Sequence, residues 1–183
     1  MELSVLTFHH LEGNIQLNSI VSTYAEVWKQ SDFPVSEEKI KGFRAVLKRQ
    51  SKRQGFKLCI VVGADGKIQG YAYGYVGRPS QWWYDIVSAD LTEPEKEEWM
   101  SDYFEFVELG VLKQFRNMGL GKQLHDSLLS GSTSRTALLS TQVANSNAIS
   151  LYRKSGWEVI RKQFQFPGAD TPFAIMGIKL VRN

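Results

Sequence analysis

Residues 103–131, Y-F-E-F-V-E-L-G-V-L-K-Q-F-R-N-M-G-L-G-K-Q-L-H-D-S-L-L-S-G, restrict what this 183-residue chain can fold into more than any other stretch. Phe104, Phe106, Val107, Leu109 and Val111 form a short apolar, β-favouring run, the pattern of a largely buried strand. After Met118, Leu120, Leu124, Leu128 and Leu129 recur at helical spacing, and Gly131 is a suitable stop. Between strand and helix stands R-N-M-G-L-G-K. Gly119 and Gly121 let peptide N–H groups converge there, at the positive end of the coming helix dipole. A turn of this kind suits an anion such as a pyrophosphate.

Two familiar phosphate loops fit the turn badly. A dinucleotide fingerprint needs a third glycine three residues after Gly121, where Leu124 stands. A Walker-type loop needs a glycine five residues before Gly121 and Ser or Thr after Lys122, where Arg116 and Gln123 stand. What remains is Arg-x-x-Gly-x-Gly behind a strand that ends in Val111. Further on, the strand-like run Thr136–Val143 leads into A-N-S-N-A-I-S-L-Y-R-K-S-G-W. There Asn145, Ala148, Leu151, Tyr152, Gly156 and Trp157 follow the pattern Asn-x-x-Ala-x-x-x-Tyr-x-x-x-Gly-aromatic. The two motifs, in this order, resemble the pyrophosphate loop and the second signature of the GNAT superfamily, the acetyl-CoA-dependent N-acetyltransferases, in a bacterial-type member. The resemblance covers the C-terminal half by motif and the N-terminal half by strand order and length.

Composition sets wider bounds. The length suits one domain with a sizeable core, and no Pro/Ser-rich linker divides the chain. A net charge of +3 is too small to argue for nucleic acid by itself, and a nucleic-acid partner is not expected. Cys59, the one cysteine, excludes an intrachain disulfide and reads in K-L-C-I-V-V as a small core residue. No apolar stretch reaches membrane-spanning length, and M-E-L-S-V-L-T-F lacks the basic region of a signal peptide, so the expected location is the cytoplasm with no membrane partner.

Taken in order, Val5–Phe8 reads as a strand, and Ile15–Gln30 as a helix carrying Leu17, Ile20, Val21, Tyr24, Val27 and Trp28 on one side. Ser36, with Glu37 and Glu38 after it, starts a second helix expected to reach about Gln54, with Ile40, Phe43, Val46 and Leu47 inward. Its other positions bear Lys41, Arg44, Lys48, Arg49, Lys52 and Arg53, with no acid between Lys39 and Lys57. That side reads first as a solvated face and second as a surface attracting phosphates of coenzyme or RNA. Lys57–Gly63 and Lys67–Val76 are expected strands around an A-D-G hairpin turn. Tyr71, Tyr73 and Tyr75 share one face of the second strand, opposite Ala72 and Gly74, and are read as covering a core edge before contacting an acceptor. Small residues on the other face allow a helix or ligand to pack closely.

Residues 77–102 interrupt the strand sequence with a short helix capped by Thr92. Seven acids there, Asp85, Asp90, Glu93, Glu95, Glu97, Glu98 and Asp102, are opposed from Asp85 onward by Lys96. Together with Trp82, Trp83, Tyr84 and Trp99 they form either a solvated acidic helix with buried tryptophans or a surface for a cationic acceptor. After the helix ending near Gly156 come expected strands at Trp157–Phe166 and Pro172–Leu180, with Pro167-Gly168 turning between them. The order β-α-α-β-β-(insert)-β-α-β-α-β-β is that of the GNAT fold. It implies an α/β (α+β) domain spanning 1–183, with a mixed, mostly antiparallel sheet of six to seven strands and helices on both faces.

The resemblance carries expectations about chemistry. Acetyl-CoA would be the co-substrate, with no metal, and the acceptor a primary amine, first of a small cationic molecule and second a protein lysine or N-terminus. Backbone groups of Arg116, Asn117, Met118, Gly119, Leu120, Gly121 and Lys122 would hold the pyrophosphate, with Arg116 and Lys122 adding charge. Leu109, Gly110 and Val111 would pair with the pantetheine arm like an added strand, and Asn145 and Leu151 would line it. Trp82, Trp83 and Tyr84 would border the acceptor. Tyr152 stands where many superfamily members place a phenol that protonates the departing thiolate.

For the base, Glu105 lies fourteen residues before Gly119, matching the carboxylate of the histone-acetylating branch. Among apolar neighbours its pKa should be raised. Glu108 is second, on the other side of the strand by parity, and a water relay is third. Gln142 stands where some members carry a glutamate, which weakens any close analogy to the ribosomal N-terminal acetylating branch. His125, Asp126 and Ser127 are consecutive on a helix and make no triad, and no metal-ligand spacing is present. A non-catalytic acyl-CoA-binding module and an RNA-binding domain are the rivals from other classes. A homodimer is among the assemblies left open.

Overall fold

The computed structural model describes residues 3–31 and 35–181. In chain order the elements are β1 (Leu3–Phe8), α1 (Gly13–Lys29), α2 (Glu37–Gln50), β2 (Lys57–Gly63), β3 (Ile68–Val76), α3 (Trp82–Ala89), α4 (Glu93–Trp99), β4 (Tyr103–Val111), α5 (Leu120–Leu129), β5 (Thr136–Gln142), α6 (Ser146–Lys154), β6 (Glu158–Phe164) and β7 (Phe173–Lys179). The strands form one mixed sheet in the order β1-β2-β3-β4-β5-β7-β6. β1–β2, β2–β3, β5–β7 and β6–β7 are antiparallel, while β4 and β5 run parallel, with Tyr103–Glu105 against Thr136–Leu138. This is the expected GNAT-like α/β arrangement. By internal contacts the chain divides into two compact units, Met1–Tyr75 with Glu108–Ser130, and Val76–Val107 with Gly131–Asn183.

In the first unit, the buried aromatic face of β3 organises the helices. Tyr71 and Tyr73 are at most 1 % exposed. Phe43 of α2 stacks on Tyr24 of α1 at 3.7 Å and tilts against both strand tyrosines at 6.4 and 6.3 Å. Gln50 joins the same face, accepting from the Tyr73 hydroxyl at 2.8 Å and donating to that of Tyr75 at 3.2 Å. The three tyrosines are therefore core residues. On the opposite face a Cβ at Gly70 would lie 3.0 Å from the Gly110 carbonyl oxygen and 3.3 Å from Leu124 Cδ1. The missing side chain lets α5 close onto the sheet.

Ser36 caps α2 as expected, accepting from the Lys39 N–H at 3.2 Å. The helix stops at Gln50, four residues before the anticipated end, and Gly55 follows with a φ of 67°. Phe43 and Leu47 are its buried residues, whereas Ile40 and Val46 are half-buried.

In the second unit, Trp83, Val87, Leu91, Trp99, Met100 and Tyr103 pack with Leu138, Phe164, Phe166 and Ile175. The insert holds one helix more than expected, α3, in addition to α4, which opens with a capping box between Thr92 and Glu95. Its acids are not left to Lys96 alone, which corrects the expectation from the insert's own composition. Arg161 of β6 binds Asp90 at 2.7 Å and Glu95 at 2.8 Å, Lys179 of β7 binds Glu98 at 2.8 Å, and Arg135 lies 3.7 Å from Glu97.

Candidate active site

The first unit carries the glycine turn. Asn117 and Gly119 both have left-handed backbones, at φ 62° and 79°, and Gly119 is the N-cap of α5. The first peptide N–H groups of a helix have no intrahelical acceptor, so those from Leu120 onward face out along the helix axis. A Cβ on Gly119 would meet nothing within 4 Å. The glycine is required there by its backbone angle, and the space beside it stays open for a ligand. Asn117, Met118, Gly119 and Lys122 are exposed and Arg116 is half-buried. Arg116 Nε donates to the Val111 carbonyl at 3.0 Å, bracing the turn against the end of β4. Lys122 pairs with Asp126 one helical turn on. His125 Nδ1 lies 2.8 Å from the Asp126 carboxylate, and burial lowers the imidazole pKa. Adjacent on the helix, His125 and Asp126 do meet, and Asp126 joins the buried imidazole to Lys122.

Glu108 belongs to the same unit and sits in unusual company. Burial pushes its carboxyl up to about 8, against an ordinary value of 4.5, while the Trp28 indole favours the ionised form. Its charge in turn raises the phenols of Tyr24 and Tyr71, each of which burial raises most. The indole nitrogen of Trp28 and the hydroxyl of Tyr71 are both shielded from water. Tyr24 and Trp28 come from α1, with rings 6.2 Å apart, and Tyr71 from β3. The Glu108 carboxylate is thus electrostatically coupled to polar groups of three aromatic side chains from two other elements.

The second unit holds the remaining residues singled out in the sequence. Glu105 on β4 is 4 % exposed, beside the register pairs Tyr103–Thr136 and Phe104–Ala137. Tyr152 is buried on α6, its ring 5.9 Å from Phe106 and 5.6 Å from Trp157. Trp157 also donates its backbone N–H to the Tyr152 carbonyl at 3.0 Å, closing the helix. The Asn145 side chain caps that helix, accepting from the Ala148 N–H at 3.2 Å, and Leu151 is half-buried. Of the three insert aromatics, Trp83 is buried and donates its indole N–H to Ser140 at 3.1 Å. Tyr84 is half-buried against Tyr103, and Trp82 is exposed and stacks on Phe166. Among the described residues, no cluster of three or more His, Cys, Asp or Glu could hold a metal ion.

The description of one protein family, the acetyltransferase (GNAT) family, fits residues 18–157. The chain belongs to that family. It is 37 % identical over 122 residues to a GCN5-like protein acetyltransferase of Mycobacterium tuberculosis, an alignment covering 62 % of this chain and 59 % of that relative. The chain therefore spans little more than half of the relative's length. Among solved structures, the NatC complex bound to Gag peptide and CoA matches with a TM-score of 0.68 and 16 % identity, over 99 % of this chain and all of the other. The PaiA N-acetyltransferase of Thermoplasma acidophilum, in complex with coenzyme A, matches at 0.63 and 16 %, over 98 % of this chain and all of the other. At such identities the structural matches establish a shared GNAT fold.

Two features of this GNAT chain escaped inspection of its motifs. Trp28 and Tyr24 lie in the first helix, far along the chain from the carboxylate they surround. Arg161, which pairs with Asp90 and Glu95 of the insert, is one of two adjacent basic residues in a short strand, next to Lys162. Only the helical spacing of Trp28 with Tyr24 pointed to either of them.

Proposed function

We propose that this protein is an N-acetyltransferase that moves the acetyl group of acetyl-CoA to a primary amine by direct attack in a ternary complex. The observation that carries this is the turn from Arg116 to Lys122, with left-handed Gly119 opening α5 inside a region matched by the GNAT family. Its N–H groups would hold the coenzyme pyrophosphate, helped by the charges of Arg116 and Lys122. Leu109, Gly110 and Val111 would pair with the pantetheine arm, with Asn145 and Leu151 beside it. The pairing of β4 with β5 covers three of the nine β4 residues, which supports that role for the strand's later part. The amine nitrogen bonds to the acetyl carbon and the carbon–sulfur bond breaks. Tyr152 gives its phenol proton to the departing thiolate, and a carboxylate takes the proton lost by the ammonium.

Glu105 and Glu108 are the two candidates for that carboxylate. A base with a pKa near 8 remains a competent proton acceptor around neutrality, so the surroundings of Glu108 favour it over the order suggested by motif position. The expected acceptor is a small cationic amine, bordered by Trp82, Trp83 and Tyr84. A protein lysine or N-terminus is the second reading, supported by the protein acetyltransferase relative and by the ion pairs that already occupy Asp90, Glu95 and Glu98. We place the enzyme in the cytoplasm; no helix among the described residues is long and apolar enough to cross a membrane.

The test is coenzyme release from acetyl-CoA against polyamines, aminoglycosides, amino acids and peptides, with calorimetry of coenzyme A binding alongside. Turnover with one acceptor class supports the proposal and selects between its two forms. Binding without turnover on every acceptor favours a non-catalytic acyl-CoA-binding module. No heat with coenzyme A at millimolar levels overturns the assignment.

A further inference from the structure

Between Lys39 and Arg53 the chain places seven basic residues and no acidic one. The first unit consequently carries thirteen basic and nine acidic residues, against nine and ten in the second. The structure puts this segment on α2 and the turn after it, with Phe43 and Leu47 buried on the inner side. At 3.6 residues per turn, the opposite side from Lys41 onward consists of Lys41, Gly42, Arg44, Ala45, Lys48 and Arg49, and Lys52 extends the row. All seven are exposed. Lys41 lies 3.8 Å from Glu37, an ion pair open to water on both sides and of little consequence. Arg44 reaches the neutral Asn18, and Arg53 lies over the Tyr75 ring. Lys39, Lys48, Arg49 and Lys52 form no ion pair among the described residues.

The needs of the helix explain part of this row. Lys48 and Arg49 in the last turn complement the dipole. Lys39 and Lys41 do not, since they sit near its positive end. Gly42 is a second departure from what the helix requires: a Cβ there would meet nothing within 4 Å, and glycine inside a helix weakens it relative to alanine. With Ala45, it leaves a smooth strip between cations where another backbone can come close.

The chemistry of the face narrows the partner. It has no aromatic or large apolar side chain to anchor a protein interface, enter a membrane or stack unpaired bases. It has no Asn or Gln to read base edges. We propose that the outer face of α2, from Lys41 to Lys52, binds the phosphate backbone of a nucleic-acid duplex through charge and close backbone approach. None of its residues is among those assigned to acetyl transfer.

The test is fluorescence anisotropy of the full chain with labelled duplex RNA and duplex DNA across salt. Four to five phosphate contacts predict a log–log slope of about −4, a loss of about 10²-fold in affinity between about 50 and about 200 mM salt. Replacing Lys41, Lys48 and Lys52 together by Gln should flatten the slope by about 0.9 per lost contact, with circular dichroism and coenzyme A binding unchanged. Gly42→Leu keeps the charge and strengthens the helix, yet should weaken duplex binding by blocking the strip. Comparable affinity for both duplexes supports backbone recognition. No binding at low salt, a flat salt response, unaltered affinity in both variants, or tighter binding to single strands, polyglutamate or anionic vesicles would overturn it.

Discussion

Tyr152 fills two places at once: its ring packs against Phe106 and Trp157, and its hydroxyl is the proposed acid. Tyr152→Phe separates them, because phenylalanine keeps the ring contacts. The expected result is a fall in kcat of about 10²-fold or more with coenzyme A affinity retained; unchanged turnover would remove the hydroxyl from the chemistry. The carboxylates separate in a similar way. If Glu108 takes the amine proton, kcat/KM should rise with pH through about 8, its own titration, and Glu108→Gln should abolish that rise. A rise that survives in Glu108→Gln and vanishes in Glu105→Gln would assign the base to Glu105.

At the level of elements, the left-handed backbone of Gly119 is the feature most open to attack. Gly119→Ala forces a side chain into φ 79°, a strain on the order of 1 kcal/mol, and redirects the N–H groups of the α5 cap. Calorimetry should show coenzyme A binding weakened by about tenfold, with far-UV circular dichroism unchanged. An unaltered affinity would mean that the turn does not hold the pyrophosphate. This turn was legible in the sequence because glycine spacing and helical periodicity are local signals, as were the Ser36 and Thr92 caps. The helix α3 was not legible: its N-cap, Gln81, makes no side-chain cap bond, and W-W-Y-D-I-V-S-A is eight residues long with little propensity to mark its start. The end of α2 was placed too late because the basic row runs on through Arg53 with no breaker before Gly55. The surroundings of Glu108 and the neutralisation of the insert stayed hidden for a common reason. Trp28 is brought to its carboxylate by the packing of α1, and Arg161 and Lys179 by the sheet, across separations that no local pattern encodes.

For the whole molecule, two carboxylates titrate with opposite effects on stability. Glu95, held down to about 2 first by the Arg161 hydrogen bonds, contributes stability above its unfolded pKa of 4.5 that is lost as pH falls toward 2. Glu108 is raised, so its contribution is full below 4.5 and is lost as pH rises through 8, on the order of 1–3 kcal/mol given its partial exposure. Thermal unfolding should therefore show greatest stability on the acid side of neutrality, and Glu108→Gln should move the maximum upward. A melting temperature that climbs steadily from pH 5 to 8 would contradict the assigned surroundings of Glu108. The close approach at Gly70 has a different kind of consequence. Because Leu124 nearly touches the strand there, even a methyl group would act as a wedge under the middle of α5. The tilt would be delivered to the far tip of the helix, where the anion is gripped. A change wholly inside the protein, invisible to the coenzyme itself, would then be felt as a slackened hold on it.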